Sequence, residues 1–276
     1  MVVGNHDYTQ PAYSIIDCPE CGLLYKDAVL ADDALDAYYA DVDFRKWEIT
    51  GLFPTERIVA AQLRSLPPGA SILDVGCSSG RLLSALPSHY NLFGVEPNAA
   101  AAGMATSKGI TIIARDDALH GPFDAIVMMD VFEHLTEPTS VIQSLTKRLK
   151  PGGKLIITTG DGGTPLCRES PAEFWYFRNV EHVCMISRRY AGWLTTQCPI
   201  RLVSWVSTSH YDSTLISRLA KGLRVVAWRH HRRQSLWWKY FFNYLPMLGR
   251  ARHWTNCPAY DLGKDHVVAT FQIVPD

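Results

Sequence analysis

Acidic residues recur in this chain where several short apolar runs end. In ILDVGCSSG (72–80), Asp74 stands just ahead of a turn containing Gly76, Cys77 and Gly80. The next run ends in GVEPN (94–98), with Glu96 and Pro97 at its tip. DDAL (116–119) supplies Asp116, Asp117 and Ala118, and FDAIVMMDV (123–131) closes on Asp130 and Val131. Glycines in the first turn let a ligand approach the backbone, and the N–H groups of a following helix are expected to point at it. The order is D-x-G-C-S-S-G, not the G-x-G-x-x-G cradle of a pyrophosphate. An aspartate at that place accepts hydrogen bonds from a cation. An acid about 20 residues later suits the paired hydroxyls of a ribose. A third acid can accept from an exocyclic amine. The ligand so described has an ammonium, a ribose and an aminopurine, and needs no phosphate. S-adenosylmethionine has those parts.

The elements that must position these tips follow from periodicity. SILDVG (71–76), NLFGVEP (91–97), TIIA (111–114), FDAIVMMDV (123–131), KLIITTG (154–160), RLVSWVS (201–207) and HVVATFQIV (266–274) read as strands. Helices are expected between them, capped by Asn98 and Ser187, with Pro54 in the first turn of the earliest. Near-continuous apolar strands alternating with helices imply an α/β fold, a doubly wound, mostly parallel sheet covered on both faces. Ligands of such sheets bind beyond the carboxyl ends of the strands, where the acids lie.

Five motifs in this order, ILDVGCSSG, GVEPN, DDAL, FDAIVMMDVFEHL and LKPGGKLIITT (149–159), make the chain resemble the class I S-adenosylmethionine-dependent methyltransferases. The resemblance covers roughly residues 53–210 and the last strand. It implies a Rossmann-like sheet of seven strands, with S-adenosylmethionine as cofactor and S-adenosylhomocysteine as product. It also implies roles for single residues. Asp74 would hold the methionyl amine, while Gly76, Cys77 and Gly80 line the methionine part. Glu96, with Pro97 beside it, would take the ribose hydroxyls. Asp117, or Asp116, would meet the adenine amine beside Ala118. Asp130 and Val131 would flank the sulfonium. Ser78 stands where many relatives carry glycine.

Methyl transfer to a hydroxyl also needs a base near neutral pH. His134 and His182 follow the fourth and fifth strands on the ligand side and are the candidate catalytic residues. Each is weighed against a purely structural hydrogen bond. EHL followed by NVEHVCMIS resembles the subgroup of ubiquinone-biosynthesis and sugar or glycan O-methyltransferases. In some quinone-ring relatives an E-x-x-E-H run binds a divalent metal. Here that run opens on Asp130, and no metal is assigned. The expected acceptor is a small molecule or a glycan, with a quinone ring or a carboxylate as the rival. A non-catalytic cofactor binder is a further alternative. The segment 160–182, rich in Gly, Pro and aromatics, reads as a loop-like cover in which Trp175, Tyr176 and Phe177 either line the acceptor pocket or cap the core.

Zero formal net charge gives no hint of a polyanionic partner, and nucleic acid is not an expected one. Seven cysteines without a repeating framework, and no apolar signal core in MVVGNHDYTQ, lead to the expectation of a cytoplasmic setting. Residues 1–50 read as an appendage carrying CPECG (18–22), half of a zinc site without a second pair; 51–276 form the cofactor-binding domain. Before the last strand lies an insertion at about 212–262. Its stretch 213–260 has no Asp or Glu but carries Arg218, Lys221, Arg224 and Arg229 among tryptophans. Leu215, Leu219, Leu223 and Val226 recur at helical spacing there. An interfacial membrane helix, a cationic wall of the acceptor site and a packed helical pair all remain open. The oligomeric state is not legible.

Overall fold

The structure is a computed structural model and describes residues 2–3, 6–7, 12–114, 121–212, 214–232 and 264–274. Two short strands, β1 (Val2–Val3) and β2 (His6–Asp7), pair with each other. An antiparallel hairpin, β3 (Ile15–Asp17) and β4 (Leu24–Lys26), precedes α1 (Asp32–Asp41). From α2 (Pro54–Leu63) the chain alternates: β5 (Ser71–Val75), α3 (Arg81–Ser84), β6 (Asn91–Val95), α4 (Ala99–Ser107), β7 (Thr111–Ile112), β8 (Phe123–Met129), α5 (Pro138–Thr146) and β9 (Leu149–Gly160). α6 (Pro165–Glu169), β10 (Cys184–Met185), α7 (Arg188–Gln197), β11 (Ile200–Thr208), α8 (Leu215–Arg232) and β12 (His266–Ile273) follow.

Local chemistry starts these helices as expected. The Asn98 side chain accepts from the N–H groups of Ala100 and Ala101, and that of Ser187 accepts from Tyr190 N–H. Pro54 opens α2, where Glu56 reaches back to accept Phe53 N–H at 2.8 Å.

Seven strands form the main sheet in the order β11-β12-β9-β8-β5-β6-β7. All neighbours are parallel except β12, which is antiparallel to both β9 and β11. The order reverses between β5 and β8, so a crevice opens beyond their carboxyl ends. Successive residues of the central strands enter opposite cores. Leu73, Ile126, Met128, Leu155 and Ile157 pack with α5 and α7; Ile72, Ala125, Val127 and Ile156 pack with α2 and α3. This two-residue alternation is why the strands read as unbroken apolar runs.

Two expectations need correction. β9 begins at Leu149 rather than Lys154, because Pro151-Gly152-Gly153 form a bulge within it. The segment 160–182 is not loop-like: it holds α6 and two short 3-10 turns, Pro171–Glu173 and Trp175–Arg178. In it Phe177 is core, packed with Leu24, Cys167, Phe174 and Met185. The apolar stripe of α8, for which three readings stood open, is exposed. Leu215, Ile216, Leu219 and Leu223 are 72, 80, 61 and 55% exposed, while Val225 and Trp228 are buried against Leu166. The remainder of the insertion lies outside the described residues.

The N-terminal hairpin is joined to the domain. β4 pairs antiparallel with β10, which makes a small sheet β10-β4-β3, and buried Leu24 sits among the aromatics of the 160–182 segment.

Candidate cofactor and acceptor site

The glycine turn after β5 uses its amides internally. Gly76 and Cys77 N–H both donate to Val95 C=O, Gly80 N–H to Cys77 C=O, and Ser78 N–H to Glu96 Oε2 at 2.9 Å. The following helix is only four residues long. The four amides of the turn are taken within the protein, so the turn itself is an acidic cradle rather than an amide one. Asp74 is 2% exposed and its Oδ1 has no hydrogen-bond partner. Burial, with Glu56 and Glu96 adding their negative charge, pushes its carboxyl well above the ordinary range. Glu96 uses Oε1 to accept Asn98 N–H at 2.8 Å, which ties the β5 and β6 tips together. Burial raises its pKa, opposed by those two backbone donors. Pro97 is exposed on the same tip.

Backbone conformation locks the crevice. Gly76 (φ 74°) lies so close to Val131 that an added Cβ would meet its Cγ2 at 2.5 Å; Gly80 (φ 75°) has Ile110 at 2.2 Å from the same position. Ser78 and Asp130 adopt φ of 47° and 51°, the left-handed region that costs non-glycine residues. Both strained residues stand at this crevice. The Cys77 side chain departs from the expectation that it lines the ligand: it is buried in the core against Gly94. Asp116, Asp117 and Ala118 lie outside the described residues.

Ala40, Val42 and Glu48 are tied to the cradle by hydrogen bonds. Asn98 Nδ2 donates to Ala40 and Val42 C=O, and Ser79 Oγ to Glu48 Oε1 at 2.7 Å. Arg81 pairs with Glu56 at 2.9 Å and lies 3.8 Å from Glu48.

Beyond β8 the two expected histidines meet, with ring centroids 4.9 Å apart. His182 Nδ1 is 2.8 Å from Tyr176 C=O and His134 Nδ1 is 3.0 Å from Glu181 C=O. A carbonyl only accepts, so Nδ1 carries the proton in each ring and Nε2 holds the lone pair. Burial, then the neighbouring His134, pushes His182 well below its ordinary value, so it stays neutral. Tyr39 of α1 stands edge-on to His134 at 5.2 Å. Glu133 is buried and accepts from the Tyr176 hydroxyl and, at 2.7 Å, from Thr159 Oγ1.

Two further histidines, not singled out from sequence, reach the same edge. His210 follows β11 and His266 opens β12; their rings lie 4.6 Å apart. His210 Nδ1 is 3.7 Å from Asp130 Oδ2. Burial, then Glu133, lifts Asp130 to about 7, and burial, then His266, lowers His210 to about 3. The signal lay in topology: an antiparallel strand begins at the edge where parallel strands end.

The family described as "Methyltransferase domain" matches residues 47–197, more than half of the chain. The ubiquinone biosynthesis O-methyltransferase of Xanthomonas axonopodis pv. citri is 30% identical over 138 residues, 46% of this chain and 57% of that protein. The chain thus spans little more than half the length of that relative. A methyltransferase in complex with the Trm112 activator of Haloferax volcanii superposes with a TM-score of 0.55, at 14% identity, over 90% of this chain and 100% of that one. The N-methyltransferase NodS of Bradyrhizobium japonicum with S-adenosyl-L-homocysteine gives 0.50, at 18% identity, over 88% and 98%. The fold and the match place the chain among the class I S-adenosylmethionine-dependent methyltransferases. It belongs to the methyltransferase-domain family, and S-adenosylmethionine is the family's cofactor.

The residues fit that cofactor. A buried aspartate with an unpaired oxygen, beside two more carboxylates, is satisfied by an ammonium and repelled by a phosphate. No helix among the described residues is long and apolar enough to cross a membrane.

Proposed function

We propose that this chain transfers a methyl group from S-adenosylmethionine to a hydroxyl of a small-molecule or glycan-type acceptor. The observation that carries the reading is the neutral, buried His182, with Nδ1 fixed on a carbonyl and the lone pair left on Nε2, beside His134. When bound, the cofactor supplies a methyl on a sulfonium, a leaving group that departs as a neutral thioether. Asp74 holds the ammonium and Glu96 the ribose hydroxyls; Asp117, or Asp116, beside Ala118, takes the adenine amine. Gly76 and Gly80 line the methionine part with their backbone, and Asp130 and Val131 border the reacting centre. His182 Nε2 accepts the acceptor's O–H proton as the oxygen forms its bond to the methyl carbon and the carbon–sulfur bond breaks. His134 packs against His182 and orients it. Alignment supplies most of the rate, and the base about 10²–10⁴-fold.

Incubation with methyl-labelled cofactor and panels of sugars, phenols, quinols and carboxylic acids tests this reading. Label transferred to hydroxyl acceptors, and lost in His182→Gln with cofactor affinity kept, is the expected result. Transfer only to carboxylates, which need no base, would replace it with the rival reading. Transfer to nothing would favour a non-catalytic cofactor binder.

The exposed leucines of α8, with Arg218, Lys221 and Arg224 on the same helix, favour a peripheral contact with an anionic membrane surface of the cytoplasm. Vesicles containing anionic lipid should sediment with the protein, and Leu219→Asp with Leu223→Asp should abolish this. Equal sedimentation of the double variant would remove the membrane contact.

A further inference from the structure

Three elements converge at the carboxyl edge of the sheet: the residue after β8, the loop after β11 and the start of β12. They bring together Asp130, His210 and His266, each offering a ligand atom within 4.8 Å of the others. We propose that these three side chains bind a divalent first-row transition-metal ion.

The chemistry of the donor set supports this. Asp130 Oδ1, His210 Nδ1 and His266 Nε2 are all buried, and none has a hydrogen-bond partner. Buried polar atoms are nearly always paired, so three orphans converging on one spot need a common explanation. One cation satisfies all three at once. His266 is also oriented as metal-bound imidazoles are: Asp265 Oδ1 lies 3.1 Å from its Nδ1, which keeps the proton there and the lone pair on Nε2. The rings are held by packing. His210 stacks on Phe53 at 4.9 Å, and Tyr176 stands edge-on to His266 at 5.0 Å. Asp130 adopts a left-handed conformation, φ 51°, just past the end of β8. Two imidazoles and one carboxylate suit zinc, iron or manganese and leave positions open for another ligand.

A second group, Glu133, His134 and His182, has similar spacing but not the same need. Both Glu133 oxygens already accept hydroxyl protons from Tyr176 and Thr159. The proposed site also draws on His210 and His266, far in sequence from the 130–134 run. That the ion would hold the acceptor's oxygen rests on the methyl-transfer reading above; the binding itself does not.

The test is titration of the full chain, stripped with chelator, with Co(II) followed by visible absorption and with Zn(II) followed by calorimetry. Saturation at one equivalent is expected, with Co(II) d–d bands of an N/O site free of thiolate charge transfer. His210→Ala and His266→Ala should each remove the site, and Asp265→Asn should weaken it about tenfold or more. S-adenosylhomocysteine titration of the same variants shows separately whether fold and cofactor site survive. Metal binding unchanged in His210→Ala and His266→Ala, or lost only in Cys18→Ser with Cys21→Ser, would overturn the proposal. So would no binding by the native chain that still binds S-adenosylhomocysteine.

Discussion

The backbone N–H of Ser78 donates to Glu96 Oε2 at 2.9 Å, and this bond joins the glycine turn of β5 to the tip of β6. Ser78 pays for that position with a left-handed φ of 47°. A glycine there would keep the N–H and lose the strain. Ser78→Gly is therefore expected to stabilise the protein by up to about 1 kcal/mol, raising Tm by roughly 2–4 °C. Affinity for S-adenosylhomocysteine should stay the same. A lower Tm on thermal unfolding would mean that the Ser78 side chain makes a contact worth more than the strain.

Gly80 is the opposite case. Its φ is 75°, and a Cβ would lie 2.2 Å from Ile110 and 3.2 Å from Ala105. Gly80→Ala should destabilise by about 2–4 kcal/mol, from the left-handed conformation and overpacking together. A denaturant midpoint equal to that of the native chain would contradict this account of the turn.

Leu24 links the N-terminal hairpin to the cover of the site. It is 1% exposed and packs with Tyr176, whose hydroxyl holds Glu133. Leu24→Ala should cost about 2–5 kcal/mol. Turnover should fall further than cofactor affinity, because the cavity opens beside Tyr176 and not beside Asp74. Equal losses of both would show that the hairpin only stabilises the fold.

His182 makes stability depend on pH. Its folded pKa lies well below its unfolded value of about 6.5. As pH falls below that value the unfolded chain takes up a proton that the native ring refuses, so stability drops on acidification. His182→Gln should flatten the decline in Tm between roughly pH 7 and 5 and reduce turnover by about 10²–10⁴-fold. An unchanged slope would mean that the ring is accessible to protons in the native state.

Much of this fold was legible because its strands are buried on both faces. Ile72–Leu73 and Ala125–Met128 supply both cores in turn, so the runs stand out without any alternation. Caps such as Asn98 and Ser187 act within three residues and can be read locally. The acids at the strand tips were legible for the same reason. What escaped depends on distant pairing. Nothing near CPECG announces that β4 will join β10, about 160 residues away. His210 and His266 lie outside every local motif and meet only because β12 runs antiparallel. The consumption of the turn's amides by Val95 and Glu96 is likewise a contact between separate strands. The leucine stripe of α8 was visible as periodicity, but periodicity does not say which face finds a partner.

The central claim is that Asp74 and Glu96 form the cation and ribose sites of a bound cofactor. It is tested most directly by calorimetric titration of the chain with S-adenosylhomocysteine, beside Asp74→Asn and Glu96→Gln. Loss of a charge-assisted hydrogen bond is worth about 1.5–3 kcal/mol, so each variant should bind about 10–100-fold more weakly while remaining folded. Native affinity retained in both would place the cofactor elsewhere and contradict the account.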